Sequence, residues 1–136
     1  LKLFEEISTL ENVELISLHK GDGENQLAKV EFKVNQLPID LDPENCAFLD
    51  TAALIINCDL VISSDTAVAH LAGALGRPTW VVLQHVPDWR WQIKSTSTPW
   101  YPSMSLYRQP YKGDWDWVFK EIYEDLKKRT SLSKGI

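Results

Sequence analysis

Six consecutive residues, Asp65-Thr-Ala-Val-Ala-His70, bring a carboxylate, a hydroxyl and an imidazole close together in the chain. They follow Asp59-Leu-Val-Ile-Ser-Ser64, which has the apolar run of a strand, and lead into Leu71-Ala-Gly-Ala-Leu-Gly76, which reads as helix. Asp65, or Ser64 before it, suits the N-cap, because a short oxygen side chain accepts from the first free N–H groups of a helix. Thr66 and Ala67 then fill the first turn, where their small size lets an anion approach the backbone and the threonine adds a donor. His70 lies one turn on, on the face of Thr66. Helical side chains lean toward the N-terminus, so its ring can reach back over the same spot. The chemistry this suits is phosphate binding at a helix N-terminus. Dipole and free N–H groups favour such an anion by about 0.3–1 kcal/mol, rising to ~2 when partly buried. That is too little alone, so further donors are needed, and Lys20 and Arg90 are the candidates. The plainer alternative is that Asp65 only caps and His70 only packs.

The elements around this turn form a βαβ unit. Val68, Leu71, Ala72 and Leu75 follow helical spacing and are expected to form the core face, while Ala69 and Gly73 permit close helix–sheet contact. Gly76 ends the helix, and Thr79-Trp-Val-Val-Leu83 is the second strand. Upstream, Leu3, Phe4, Ile7 and Leu10 recur at helical spacing, and Val13-Glu-Leu-Ile-Ser-Leu18 has a buried-strand pattern. His19-Lys-Gly-Asp-Gly23 is a loop at the carboxyl end of that strand. Glu24 to Phe32 is ambiguous, with a helix as one reading, and Leu37 to Leu41 reads as extended. Asp50 is expected to cap a helix over Thr51–Ile56. Downstream, Met104–Arg108 fits a last strand. Gly113-Asp114 opens a final helix whose stripe is Trp115, Val118, Phe119, Ile122 and Leu126. The reading gives a domain over 1–129 and a frayed tail over 130–136. Alternating strands and helices imply α/β architecture, a parallel sheet with helices on both faces. Such domains start with a strand, whereas this chain opens on Leu1 and a helix; the expectation is a piece of a longer chain lacking its first strand.

Composition narrows the function. The 136 residues carry a net charge of −5, which argues against a nucleic-acid partner, since that needs a basic stripe. No apolar run approaches the ~18 residues of a membrane span. Cys46 and Cys58 lack zinc-type spacing, so two free thiols in a reducing, cytoplasmic setting are expected. His19, His70 and His85 lack metal-ligand spacing, though each lies just past or near a strand end. GxGxxG, GK[ST], GxSxG and HExxH are all absent. No metal and no cofactor is expected.

The connection from His85 to Tyr101 holds Pro87-Asp-Trp-Arg-Trp91 and Pro99-Trp-Tyr-Pro102, three of the six tryptophans. Trp, Arg and Tyr there can stack on a sugar or base and bind phosphate. Alternatively they pack against the last helix, the reading favoured for most of the tryptophans. Arg90 is set apart as an anion ligand, with a salt bridge to Asp88 or Asp114 as its plainer role.

Together, Asp65-Thr-Ala-Val-Ala-His70-Leu-Ala-Gly-Ala-Leu-Gly-Arg-Pro-Thr-Trp80, Pro87–Trp91 and Pro99–Met104 resemble one bacterial group. It is the glycosyltransferase-like C-terminal segment that follows tetratricopeptide repeats, related to glycosyltransferase family 9, the ADP-heptose lipopolysaccharide heptosyltransferases. Thr51–Ile55, Asp59–Ser63, Arg108-Gln109 and Gly113–Trp115 fit the same segment, densest over 48–117. The resemblance implies a GT-B fold, two Rossmann-like domains across a cleft, of which this chain is the C-terminal half that binds a nucleotide-diphosphate sugar. It further implies that Asp65 contacts the donor sugar, that Thr66 and Ala67 N–H groups hold the diphosphate and that His70 supports the site. Lys20 and Gly21 would lie near the ribose or base. Transfer of this kind usually needs no metal. Three departures stand out. Heptosyltransferases carry Gly at Ala67, whereas Ala is usual in the repeat-linked group. Loop positions often acidic or arginine are Ser95, Ser97 and Ser105. The acceptor domain with the general base is absent, as is a strand bearing a phosphate-contacting lysine, so no catalytic residue is expected in this chain.

The expected function is therefore the donor-binding half of an inverting glycosyltransferase, incomplete without an acceptor-binding N-terminal domain or repeats of a parent chain. The alternative is a non-catalytic scaffold or partner-binding module that keeps the half-domain fold, and homo-oligomerisation is one use of surface left bare by an absent domain. A third, weaker reading takes His70 and Asp65 as an acid–base pair of another α/β enzyme.

Overall fold

The computed structural model describes residues 1–37, 42–43 and 47–132. Two compact units divide the chain: Leu1–Leu41 with Phe119–Ile136, and Asp42–Val118. In chain order the regular elements are α1 (Glu5–Ser8), α2 (Leu49–Asn57), β1 (Val61–Ser64), α3 (Ala67–Ala74), β2 (Thr79–Leu83), β3 (Met104–Arg108) and α4 (Trp115–Leu132). Short 3-10 helices occupy Lys2–Phe4, Glu24–Lys29 and Trp89–Trp91. The division falls inside α4.

In the first unit Ile7 of α1 is fully buried, and Phe4 sets its ring edge-on to Phe119, centroids 5.0 Å apart. Ile122 and Leu126 are buried along the stripe that the sequence marks on α4. The expected strand over Val13–Leu18 does not form. Only Ile16 bridges, in parallel to Asn35, through Ser17 N–H to Asn35 O at 2.9 Å and Asn35 N–H to Leu15 O at 2.8 Å. An apolar run becomes a strand only where a neighbour supplies a ladder, and here the neighbour supplies one residue. The next segment forms a 3-10 helix. Gly23, at φ 101°, turns the chain into it, and Gly21, at φ 90°, donates its N–H to Glu24 Oε1 at 2.5 Å. Most of the extended segment expected over Leu37–Leu41 lies outside the described residues, as does Cys46. At the other end α4 is helical through Leu132, beyond the residue where fraying was expected; the rest of that tail lies outside the described residues.

The second unit is built on a parallel sheet of order β1-β2-β3. Register pairs Ser64 with Val82 and Leu83 with Arg108, so the three strands finish nearly level. All five residues of β2 are buried, which means both faces of the sheet are covered there. On one face Val81, Leu83, Met104 and Leu106 form a core with Ala69 of α3 and Trp91 of the β2–β3 connection. On the other, Trp80 leans on Tyr107 at 5.1 Å. The outer edge of β3 is met by the connection itself, where Leu106 N–H donates to Thr96 O at 2.8 Å. The α/β class and the Rossmann-like parallel sheet thus hold.

One helix start and one helix face here differ from the sequence reading. Asp50 lies within the first turn of α2. The carboxylate serving that end is Asp42, which accepts from Asp50 N–H at 2.8 Å and from the Thr51 hydroxyl. An acceptor eight positions upstream leaves no local spacing signal. In α3 the buried residues are Ala69, Ala72 and Gly73, while Leu75 is exposed and Val68 and Leu71 are half-buried. The helix lies too close to the sheet for large side chains to fit between them. A Cβ on Gly73 would come within 2.5 Å of Met104 Cε and 2.6 Å of the Tyr101 ring. The helix closes in a complete Schellman motif: Gly76 N–H to Gly73 O and Arg77 N–H to Ala72 O, each 3.0 Å, with Gly76 at φ 67°.

Cys58 follows α2 as a free, half-buried thiol, its carbonyl held by Arg77 Nη2. Burial raises its pKa and the Asp59 carboxylate raises it further, against the opposing pull of Arg77. Less thiolate means slower attack. In a Cys46→Ser background, Cys58 is expected to react with an aromatic disulfide at pH 8 more slowly than free cysteine, and Asp59→Asn to speed it. A rate matching free cysteine would contradict this. At Gly73, alanine gains about 1 kcal/mol of helix propensity but overpacks by about 1–3 kcal/mol. The Tyr101 ring cannot swing aside as a methionine tip can, so Gly73→Ala is expected to lower stability in urea denaturation; an unchanged midpoint would count against the close approach.

Candidate functional site

The turn between β1 and α3 consists of Asp65 and Thr66. Thr66, extended at φ −137° and ψ 169°, is the N-cap, one residue later than Asp65 and two later than Ser64. Its carbonyl accepts the first helical bonds, from Ala69 N–H at 3.1 Å and His70 N–H at 3.4 Å. Asp65 does not cap because its carboxylate turns elsewhere: Oδ1 lies 3.6 Å from His70 Nε2, an ion-pair separation rather than a hydrogen bond. Nor does the Thr66 hydroxyl cap. Ser63 donates its hydroxyl to Ser64 O at 3.0 Å, and Thr66 Oγ1 sits 3.0 Å from that same serine oxygen. Since the serine hydrogen is spent on the carbonyl, Thr66 is the donor in this pair. The amides of Ala67 and Val68 come too early in α3 to have an intrahelical acceptor, and Ala67 is exposed.

His70 is held on several sides. Its Nδ1 is 3.2 Å from the Tyr101 hydroxyl, its ring stacks on Trp91 with centroids 5.2 Å apart and planes at 28°, and the Tyr101 ring meets it edge-on at 5.8 Å. The structure therefore brings Asp65, Thr66, Ala67 and His70 to one place, and adds Tyr101 and Trp91.

The remaining expected residues are placed differently. Arg90 sits in the 3-10 turn Trp89–Trp91 and pairs with Asp88, the plainer of its two roles: Nη1 to Oδ1 is 2.8 Å, and the same oxygen accepts Arg90 N–H at 3.0 Å. The guanidinium also lies over the Trp89 ring at 5.1 Å. An exposed pair of this kind is worth only about 0–1 kcal/mol, so it gives Arg90 a resting partner without fixing it. Lys20 and Gly21 belong to the first unit, and the site described here is built from the second unit alone. His85 does not join a metal cluster; among the described residues no group of His, Cys, Asp and Glu suits a metal ion.

The tryptophans of the connection divide unevenly. Trp91 is wholly buried, whereas Trp89 and Trp100 are 72% and 58% exposed, so packing holds for one of the three. Trp91 packs against the sheet and α3 instead of the last helix. Its partner from below is Arg108, whose role the sequence reading missed. Arg108 Nη2 donates to Trp91 O at 3.1 Å and to Ser95 O at 3.2 Å, while Nη1 is buried with no partner among the described residues. Desolvation pulls its pKa down. Period-two alternation with Met104 and Leu106 was the available signal, since it places Arg108 on the same face of the sheet. Arg108→Met is expected to free the 91–95 segment, with faster amide hydrogen exchange there than at β2; equal protection in variant and parent would rule out this clamp.

With this geometry in view, comparison with known proteins is informative. The family model described as glycosyltransferase family 9 (heptosyltransferase) matches residues 7–96. Protein FlbA of Caulobacter vibrioides is 30% identical over 119 residues, covering 84% of this chain and 19% of that protein. The chain thus spans about a fifth of the length of this curated relative. No solved structure matches. The matched span takes in β1, α3, β2 and the whole Asp65–His70 turn, and on that ground the chain belongs to glycosyltransferase family 9.

Proposed function

We propose that the Asp65–His70 turn holds the diphosphate and sugar of a nucleotide-sugar donor, and that the chain is the donor-binding half of an inverting glycosyltransferase of GT-B architecture. The observation that carries this is the Asp65–His70 pair set across the N-terminus of α3, in a chain of glycosyltransferase family 9. The amides of Ala67 and Val68 face a region where an anion gains from both hydrogen bonds and the helix dipole. Asp65 is an acceptor for sugar hydroxyls. His70, steadied by Tyr101 and Trp91, is a donor at the phosphate edge.

In the transfer this serves, an acceptor oxygen forms a bond to the anomeric carbon as the bond from that carbon to the diphosphate oxygen breaks. The electron pair leaves with the diphosphate, and the acceptor proton passes to a general base on the acceptor-binding domain or repeats of the parent chain. Charge grows on the leaving oxygen, where oriented N–H groups stabilise it best. Arg90 can add to this by leaving Asp88.

A second reading, a non-catalytic module that binds a partner, draws on the exposed Val86, Trp89, Ile93 and Trp100 of the β2–β3 connection. Calorimetric titration with ADP, UDP and GDP and their sugar conjugates separates the two. Saturable binding is expected with at least one, weakened about tenfold or more by Asp65→Ala and by Thr66→Val, as befits loss of a charged or a hydroxyl contact. Silence with all of them favours the partner-binding module. Sugar transfer by this chain alone would overturn the view that the base lies elsewhere.

A further inference from the structure

The carboxyl edge of the sheet holds a second prepared side chain. The strands end level, β1 at Ser64, β2 at Leu83 and β3 at Arg108, and neighbouring strands lie about 4.8 Å apart. His85 follows the middle strand by two residues, and the strands on either side end in the Asp65–Thr66 turn and in Gln109. Its backbone N–H donates to Gln109 Oε1 at 3.3 Å, and its ring Nδ1 is 3.2 Å from Gln109 O. A carbonyl only accepts, so Nδ1 carries the hydrogen and the neutral ring keeps its lone pair on Nε2. That nitrogen has no partner among the described residues, and the residue is exposed.

Gln109 is built to hold this arrangement. It is 3% exposed, its N–H donates to Leu83 O at 3.0 Å, and its Oε1 also accepts from Gly113 N–H at 3.1 Å. Two N–H donors on Oε1 settle which way the amide points. Its Nε2 is then buried with no partner among the described residues. The corner thus offers an unspent acceptor on the exposed His85, held in place by a Gln109 whose own spare donor is buried. A phosphate oxygen only accepts and cannot satisfy the lone pair of a neutral ring; a hydroxyl can donate to it.

We propose that His85 Nε2 accepts a hydroxyl hydrogen from the sugar of the donor and so helps to select that sugar. This rests on the donor-binding reading of the adjacent turn. The test is titration of the isotope-labelled 136-residue chain, followed by NMR, with a nucleotide sugar and with the matching nucleoside diphosphate. His85→Phe is expected to weaken the nucleotide sugar about three- to tenfold, the loss of one hydrogen bond, and to leave the diphosphate within about twofold. His85→Gln, which keeps an acceptor, is expected to restore most of the loss. Nitrogen shifts of the deprotonated ring should report hydrogen on Nδ1. Equal loss for sugar nucleotide and diphosphate, no loss for either, or hydrogen on Nε2 overturns the assignment to His85 while leaving the donor site standing. Silence of the unsubstituted 136-residue chain with every nucleotide overturns both.

Discussion

The closeness of α3 to the sheet governs the second unit. Ala69, Ala72 and Gly73 give that helix a face with almost no side chain, so the backbone sits down against Met104 and Tyr101. Everything at the turn follows from this height. With α3 pressed low, His70 lies level with Tyr101 and Trp91 and is gripped by both. A helix carried on leucines would ride higher and lift His70 away from them. The large apolar residues of α3 are accordingly pushed to its flanks, which is why Leu75 is left at the surface.

The β2–β3 connection fills the place of a second crossover helix. Parallel strands in sequential order take right-handed crossovers, which puts α3 and this connection on the same face, and Ala69 and Trp91 do share one core. A helix would satisfy its own backbone. An irregular segment cannot, and its carbonyls must be met from outside. Arg108 does this for Trp91 and Ser95 at the expense of a partly desolvated guanidinium.

How much of this was legible depends on the range of the interaction. The βαβ unit, β3 and the α4 stripe rest on periodicities of a few residues, and the Gly76 cap on one residue type; all can be read directly. The turn could be located but its cap fell one residue late, because Asp65 had a rival partner, His70, that only the folded geometry reveals. Leu71 and Leu75 obeyed helical spacing and still missed the core, since spacing says which residues share a face and not how near the sheet is. Asp42 at α2, Arg108 under Trp91 and Gln109 behind His85 act across gaps of 8, 17 and 24 residues, where no local pattern points. Val13–Leu18 shows the converse, a strand pattern without a ladder.

The bond from Leu106 to Thr96 has a consequence for assembly. β3 closes one side of the sheet, and a bare strand there would offer its amides and carbonyls to any passing chain. Thr96 takes the amide at the centre of that strand, so the same connection that grips His70 also seals the rim. Adding a foreign strand at β3 requires peeling the connection back, which would unseat Trp91 from the imidazole. Resistance to edge-to-edge stacking and integrity of the turn are therefore secured by one piece of chain.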